Sequence, residues 1–554
     1  MAFGFVKKIF PAWQNAVLAV VAAILLILAF PNFELWFTAW FALVPLMLAV
    51  EREKASVARS FVLGWLFGTI FFFGTCWWLT FAPITYAGFP WPLAYFLMLI
   101  VTIIVGVFPA IFAAILSILL RRFGSWAFLA APFVWVFTEF LRYWVTGNNW
   151  NAVGYSQAFT GSRLIGLAAL GGTALISFAV LAALPLLQLI LFGFARLGEL
   201  LNSKRTATHD EPETWTTPIP TSTSVYVIVA FTTFLTSAFV LIFFLFSVPL
   251  TESRGTLTSK IVALQPNVPM SGLDYQRWQQ LRQYQIDMAE AAIKKLNEQQ
   301  TTNNEHPITV ILPESPMNFM YEDDREFQQF INDFARRNNV SVLFNSAEPD
   351  KTNGKYFNSA VMISTQGKEI AEYDKIYLLP FGEAVPSFLE GIVPGFVGNF
   401  SYGREYDLLP LGDAKAGVMI CFESHFGQLS REYVRNGADV IIEMTNDGYL
   451  GPTPVLRQHL ANAVFRAVET NRPVLRVTNV GITAYITESG GIIDPTAGYT
   501  EDTRVWAVAK SDGSQTFYVR FGDWFAWLCS AITIGLLIVG IRQKRSPTAT
   551  NIKA

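Results

Sequence analysis

Gly417-Val-Met-Ile-Cys421-Phe-Glu-Ser424 is a short apolar run that ends on a thiol. Its composition reads as a buried strand that delivers a nucleophile at its carboxyl end. Two other segments are built alike. Ile308–Leu312 runs into Pro313-Glu314, and Tyr373-Asp-Lys375-Ile-Tyr-Leu-Leu-Pro-Phe-Gly-Glu383 carries an amine and a second carboxylate eight residues apart. Around them, β-rich runs (Lys260–Gln265, Val340–Phe344, Ala416–Cys421, Val440–Met444, Val474–Thr478) alternate with polar helix-like stretches (Asp274–Glu298, Arg325–Arg337, Gly427–Asn436, Pro454–Thr470). That alternation predicts an α/β domain of sheets covered by helices, with functional groups at strand ends. At about 250 residues such a domain buries its own core.

The residue types fit covalent acyl transfer. A thiol with an ordinary pKa of about 8.5 needs a base or a cation nearby to attack at neutral pH. Glu314 can take the proton of Cys421 and return it to a leaving group. Lys375 can hold the oxyanion of a tetrahedral intermediate, helped by the backbone N–H of Phe422. Glu383 can orient Lys375 or Glu314, and Glu423 can support the Cys421 loop. Taken singly, Cys421 reads as a small buried hydrophobe, Glu314 as a helix cap and Lys375 as the surface partner of Asp374. Together they read as a site. His425 offers an alternative Cys–His pairing but lacks an orienting group. His209, His306 and His459 are scattered, so neither a metal site nor a cofactor is expected.

The chain has 554 residues, 52% hydrophobic and only 15% charged, and its net charge of −2 gives no footing for nucleic acid. Apolar stretches near 13–30, 35–50, 60–80, 91–120, 125–145, 164–195, 224–249 and 523–541 predict a bundle of eight transmembrane helices. The second is short enough to be re-entrant. Lys7 and Lys8, then Arg52, Lys54 and Arg59, Arg121 and Arg122, Arg196, Lys204 and Arg205, and Arg542, Lys544 and Arg545 fall in alternate connections. The stretches near 81–90 and 146–162 have no such bias, so both termini are expected in the cytoplasm and residues 250–520 on the outer face. The expected division is 1–250 for the bundle, 251–519 for a periplasmic catalytic domain, and 520–554 for a last helix and cytoplasmic tail. Cys76 and Cys529 lie inside apolar stretches and read as packing residues.

These strings resemble the nitrilase superfamily, whose Glu, Lys and Cys match Glu314, Lys375 and Cys421. More narrowly, Leu378-Leu-Pro-Phe-Gly-Glu383, Arg472-Pro-Val-Leu-Arg-Val-Thr-Asn-Val-Gly-Ile-Thr-Ala484, Glu139-Phe-Leu-Arg142, Asn149-Trp150, Gly154-Tyr-Ser-Gln157 and Gly522-Asp-Trp524 resemble apolipoprotein N-acyltransferases. The resemblance implies an α-β-β-α sandwich on a membrane bundle in the bacterial inner membrane. It implies ping-pong transfer of a phospholipid acyl chain, through a Cys421 thioester, to the amine of an S-diacylglyceryl cysteine on an apolipoprotein. A monomer is expected. A membrane-tethered amidase acting on a small amide is the alternative. The chain departs from the family at Phe422, where Tyr is common, at Gly448-Tyr449-Leu450-Gly451, where Ala-Trp-Phe-Gly is common, and at Gly272-Leu273.

Substrate contacts are expected from two regions besides Tyr449. Phe388, Leu389, Phe396 and Val397 lie in a glycine-punctuated apolar loop, read either as buried or as a lid that dips into lipid. Trp150, Tyr155 and Gln157 lie in an outer connection, read as interfacial anchors or as headgroup contacts. Glu139 and Arg142, three apart on one helix, are expected to pair inside the bundle.

Overall fold

The computed structural model describes residues 9–161, 163–183, 257–298, 306–314, 316–380, 382–384 and 400–542. Uninterrupted apolar runs form helices α1 (Trp13–Leu28), α2 (Val44–Arg52), α3 (Val57–Cys76), α4 (Trp91–Val105), α5 (Val107–Phe123), α6 (Ala131–Thr146) and, over the described part, α7 (168–183). Ser56 caps α3, its hydroxyl accepting from Arg59 N at 3.4 Å. Gly64 and Gly68 on α3 let α5 approach closely, because a Cβ at Gly64 would lie 2.3 Å from the Pro109 carbonyl. This is the small-residue contact on which helices pack in lipid.

Four helical stretches, Val57–Thr85, Trp91–Thr146, Arg163–Ala183 and Trp524–Ile541, are long and apolar enough to cross a membrane. The expected fourth and fifth spans are therefore joined in one helical stretch. Among the other expected spans, α1 has 16 residues, α2 has nine, and 224–249 lies outside the described residues. The expected Glu139–Arg142 pairing takes a different form. Glu139 accepts from Trp135 Nε1 and Val153 N, both at 2.8 Å, while Arg142 donates to Asn149 Oδ1 at 2.8 Å and lies over the Phe72 ring. Burial makes each seek hydrogen bonds, which Trp135 and the backbone of Val153 supply to Glu139 and Asn149 supplies to Arg142.

The remaining residues form two sheets. Strands are β1 (Leu257–Gln265), β2 (Ile308–Ile311), β3 (Ser341–Asp350), β4 (Lys355–Ile363), β5 (Glu369–Asp374), β6 (Phe400–Ser401), β7 (Leu408–Leu411), β8 (Ala414–Ile420), β9 (Val440–Thr445), β10 (Val474–Thr478), β11 (Ala484–Ile486), β12 (Ile492–Ile493) and β13 (Asp502–Ala509). The first sheet runs β13-β1-β2-β3-β4-β5 with β6 on β4, and the second runs β12-β11-β10-β9-β8-β7. Each has a parallel centre, β1-β2-β3 and β8-β9-β10. Such strands are buried on both faces, which is why they read as continuous apolar runs.

Alternation in β1 shows the layering. Ile261 and Ala263 join the core shared with the second sheet, whereas Val262 and Leu264 pack under α8 (Tyr275–Glu298) and α9 (Arg325–Asn338). The second sheet is covered by α10 (Gly427–Arg435) and α11 (Val455–Thr470). Gly417 leaves room on β8 for Tyr433 of α10, whose ring a Cβ there would meet at 2.3 Å. The result is the expected α-β-β-α sandwich. Strands β4–β7 and β11–β13 were not among the sequence-derived runs.

Helix α11 lies between the second sheet and the bundle and is buried from Gln458 to Thr470. Gln458 Oε1 accepts from Trp78 Nε1 (3.1 Å) and Trp150 Nε1 (2.8 Å), and its Nε2 donates to Thr75 O (2.9 Å) and Pro31 O (3.2 Å). Glu469 accepts from the backbone N and hydroxyl of Thr173, both at 3.0 Å, and Arg457 grips Glu34 with two 2.7 Å bonds. Gln458→Leu strands several buried polar groups and is expected to cost at least about 2 kcal/mol. A lower midpoint of thermal unfolding in detergent checks this, and an unchanged midpoint would count against a fixed seam.

Candidate active site

Both sheets present strand ends to one place. Glu314 follows β2, Lys375 follows β5 and Cys421 follows β8. Lys375 Nζ lies 3.9 Å from Glu314 Oε1 and 2.7 Å from Glu383 Oε1. Asn358 of β4 ties the two carboxylates together, its Nδ2 donating to Glu383 Oε1 at 2.6 Å and to Glu314 Oε1 at 3.3 Å. The other oxygen of Glu314 accepts from Asn446 N at 3.1 Å, and that of Glu383 accepts from Leu379 N at 2.7 Å. Glu383 thus orients Lys375 directly and Glu314 through Asn358, which joins the two sequence alternatives.

Cys421 sits at φ +53°, a left-handed conformation that is costly for a residue with a side chain. It begins a short 3₁₀ turn, Cys421–His425, whose first N–H groups have no partner within the turn. Glu423 clamps the turn in place. Its Oε2 accepts from Ile420 N (2.9 Å), and its Oε1 accepts from Tyr373 OH (2.8 Å), Ile376 N (2.7 Å) and Tyr377 N (3.0 Å). One carboxylate therefore joins the Cys421 turn to the Lys375 loop across the two sheets.

Electrostatics follow from burial. Desolvation pushes the Glu314 carboxyl above its ordinary pKa, the Lys375 charge opposes this, and Glu383 adds to it. Burial alone would lower Lys375, but the carboxylates of Glu383 and Glu314 outweigh it and hold the ammonium firmly protonated. Burial and the Glu314 carboxylate lift the Cys421 thiol well above its ordinary value, so the sulfur rests as a thiol. A thiol held protonated needs a base beside it to attack, and Glu314 is the carboxyl in place.

The other candidates divide. Tyr449 is 49% exposed, with its ring edge-on to Tyr86, and remains available to a substrate. Tyr155 and Gln157 are instead buried: Tyr155 packs on Phe465 at 5.0 Å, and Gln157 accepts from Trp40 Nε1 at 3.2 Å. The expected lipid contact is corrected for these two, because Phe465 of the catalytic domain packs on Tyr155 and Trp40 of the bundle holds Gln157. Trp150, bonded to Gln458, belongs to the same seam. Phe388, Leu389, Phe396 and Val397 lie outside the described residues. His425 accepts from Asn149 N at 3.0 Å and stacks between Trp150 and Phe422, so it braces the turn from the membrane side. Asn358 and Asn446 were missed. The available signal was amide placement: Asn358 interrupts an apolar strand and Asn446 ends one, as Glu314 and Cys421 follow theirs.

Residues 22–184 match the family model for the apolipoprotein N-acyltransferase N-terminal domain, and residues 276–515 match that for carbon-nitrogen hydrolases. Among solved structures, the chain is similar to a nitrilase-superfamily protein of Saccharomyces cerevisiae (17% identity, 47% of this chain and 93% of that one, TM-score 0.34). It is also similar to an amidase from Nesterenkonia sp. (14% identity, 50% and 97%, TM-score 0.34). Among curated relatives, it is 29% identical over 559 residues to the apolipoprotein N-acyltransferase of Thermotoga maritima, covering 96% of this chain and 95% of that one. It is 30% identical over 539 residues, 96% of each chain, to the apolipoprotein N-acyltransferase of Geobacter metallireducens. A likeness of that extent, spanning the bundle and the sandwich alike, makes this chain a member of the apolipoprotein N-acyltransferase family.

Proposed function

We propose that this membrane enzyme N-acylates the S-diacylglyceryl cysteine of apolipoproteins with an acyl chain from a phospholipid. The observation that carries the reading is Cys421, held left-handed beside Glu314 and Lys375, in a chain with apolar helices before and after the sandwich in sequence. In the first half-reaction Glu314 takes the thiol proton as sulfur attacks the ester carbonyl. The C–O bond then breaks, Glu314 protonates the departing alkoxide, and a thioester and a lysophospholipid result. In the second, the free amine attacks the thioester carbonyl, the C–S bond breaks, and an amide and the thiol form. Lys375 and the Phe422 N–H hold the oxyanion in both.

Both substrates are anchored in lipid, and the loop charges favour eight spans with both termini in the cytoplasm. On that reading residues 1–250 form the bundle, 251–519 the periplasmic domain and 520–554 the last helix and tail, in the inner membrane. One chain supplies every catalytic group, which favours a monomer.

The test uses purified full-length enzyme, phospholipid labelled in its acyl chains and a synthetic S-diacylglyceryl cysteine peptide. Label should appear in amide linkage on the peptide amine. Hydrolysis of a soluble small amide with no label on the peptide would instead select the amidase.

A further inference from the structure

Under Cys421 lie four charged side chains that the acyl-transfer steps leave unused. Glu443 of β9, Asp447 just beyond it, His459 of α11 and Arg476 of β10 are each no more than 3% exposed. Arg476 donates to Asp447 Oδ2 at 2.8 Å and forms a short ion pair with Glu443. His459 Nδ1 lies 2.7 Å from Asp447 Oδ1. Its Nε2 faces Glu443 Oε1 (3.1 Å), Ser424 Oγ (2.9 Å) and the carbonyl oxygen of Cys421 (3.1 Å). Two carboxylates and one guanidinium leave a buried net charge that a protonated imidazole cancels. Burial and Arg476 push the His459 pKa down, but Asp447 and Glu443 outweigh them and lift it to about 9. The other titratable group nearby, His425 on the nucleophile turn, is driven well below its ordinary value by burial and Arg466 and stays neutral.

The Cys421 carbonyl belongs to the same peptide unit as the Phe422 N–H. That unit is trans, so its C=O and N–H point in opposite directions. A donor that grips the carbonyl from below fixes where the N–H points above, and polarises it as a donor. We propose that His459 is a positioning residue for acyl transfer: its Nε2–H holds the Cys421 carbonyl and so aims the Phe422 N–H at the oxyanion. This rests on Cys421 as nucleophile, and the two fail separately. Acyl label still retained by Cys421→Ala would defeat the nucleophile, whereas the outcomes below concern His459.

The experiment compares thioester formation from phospholipid with alkylation of Cys421 by iodoacetamide, in full-length enzyme from pH 6 to 10. Alkylation displaces iodide and passes through no oxyanion. His459→Leu is expected to lower kcat for thioester formation roughly 100-fold with KM unchanged, the usual cost of one oxyanion donor, while alkylation changes less than about twofold. His459→Gln, which keeps a donor, should recover about tenfold of that loss. Wild-type thioester formation should fall as pH rises through about 9, and His459→Gln should lack that limb. If the His459 variants do not fold, Asp447→Asn should move the wild-type limb to lower pH, because it removes the charge that holds the imidazolium. The proposal is overturned if His459→Leu keeps its kcat or if alkylation falls in step with acyl transfer. A wild-type profile flat to pH 10, or a limb that Asp447→Asn does not move, overturns it equally.

Discussion

Lys375→Met is expected to slow thioester formation on the order of 10³-fold. Lys375 is 1% exposed and sits between Glu314 and Glu383, 3.9 Å and 2.7 Å away. Two effects add. The oxyanion loses its fixed cation, and Glu314 loses the charge that opposes its desolvation, so a larger share of the base is protonated at neutral pH. Stability should move with pH as well. With the ammonium gone, the folded pKa of Glu314 rises further above its ordinary value of 4.5. A carboxyl raised in this way supports the fold below the unfolded pKa, and that support is lost as pH rises through the folded one. Relative to wild type, the stability of Lys375→Met should therefore fall as pH rises above the ordinary carboxylate range, by about 3 kcal/mol or more once the carboxyl is forced to ionise. Rapid-quench kinetics and a pH series of unfolding curves check the two parts. Lys375→Arg should not restore the rate, because a planar fork cannot replace a compact ammonium between two carboxylates.

Glu314→Gln should lower the rate of thioester formation by about 10²–10⁴-fold with little change in stability. The amide keeps the shape and still accepts from Asn446 N, which now reaches Glu314 Oε2 at 3.1 Å. What it cannot do is take the thiol proton, and burial together with Glu314 itself keeps that thiol protonated. The pH profile supplies the sign. Glu314 must be ionised to act, and its pKa is raised, so wild-type activity should fall as pH drops through a value above the ordinary carboxylate range. Glu314→Gln should lack that acid limb. Single-turnover rates between pH 4 and 8 settle the point, and a variant that keeps both rate and limb would remove Glu314 from the base role.

Much of the catalytic geometry was legible because of where the chemical groups stand. Cys421, Glu314 and Lys375 each close or follow an apolar run, and a strand buried on both faces must deliver its polar group at its end. The α-β-β-α layering followed from the same alternation. Asn358 was illegible because an amide inside an apolar strand carries no sign of what lies across the sheet. His459, on a helix, was read as scattered for the same reason: its partners Asp447, Glu443 and Arg476 come from a turn and two separate strands. Tyr155 and Gln157 were misread because aromatic and amide residues beside apolar helices look like interfacial anchors until the residues that cover them are in place. Nothing local in Gly154-Tyr-Ser-Gln157 says that Phe465 and Trp40 will cover it. Helix number was the weakest inference, since an apolar run fixes burial but not whether nine helical residues, as in α2, cross a bilayer.

The central claim is that the acyl chain passes through sulfur at Cys421. The most direct measurement incubates full-length enzyme with acyl-labelled phospholipid, removes the donor, and locates the label by peptide mass spectrometry before and after adding the diacylglyceryl peptide. The account predicts one hydroxylamine-labile acyl group on the Cys421 peptide, discharged onto the amine in the second step and absent from Cys421→Ala. Label transferred to the amine with none ever found on Cys421, or transfer undiminished in Cys421→Ala, would contradict it.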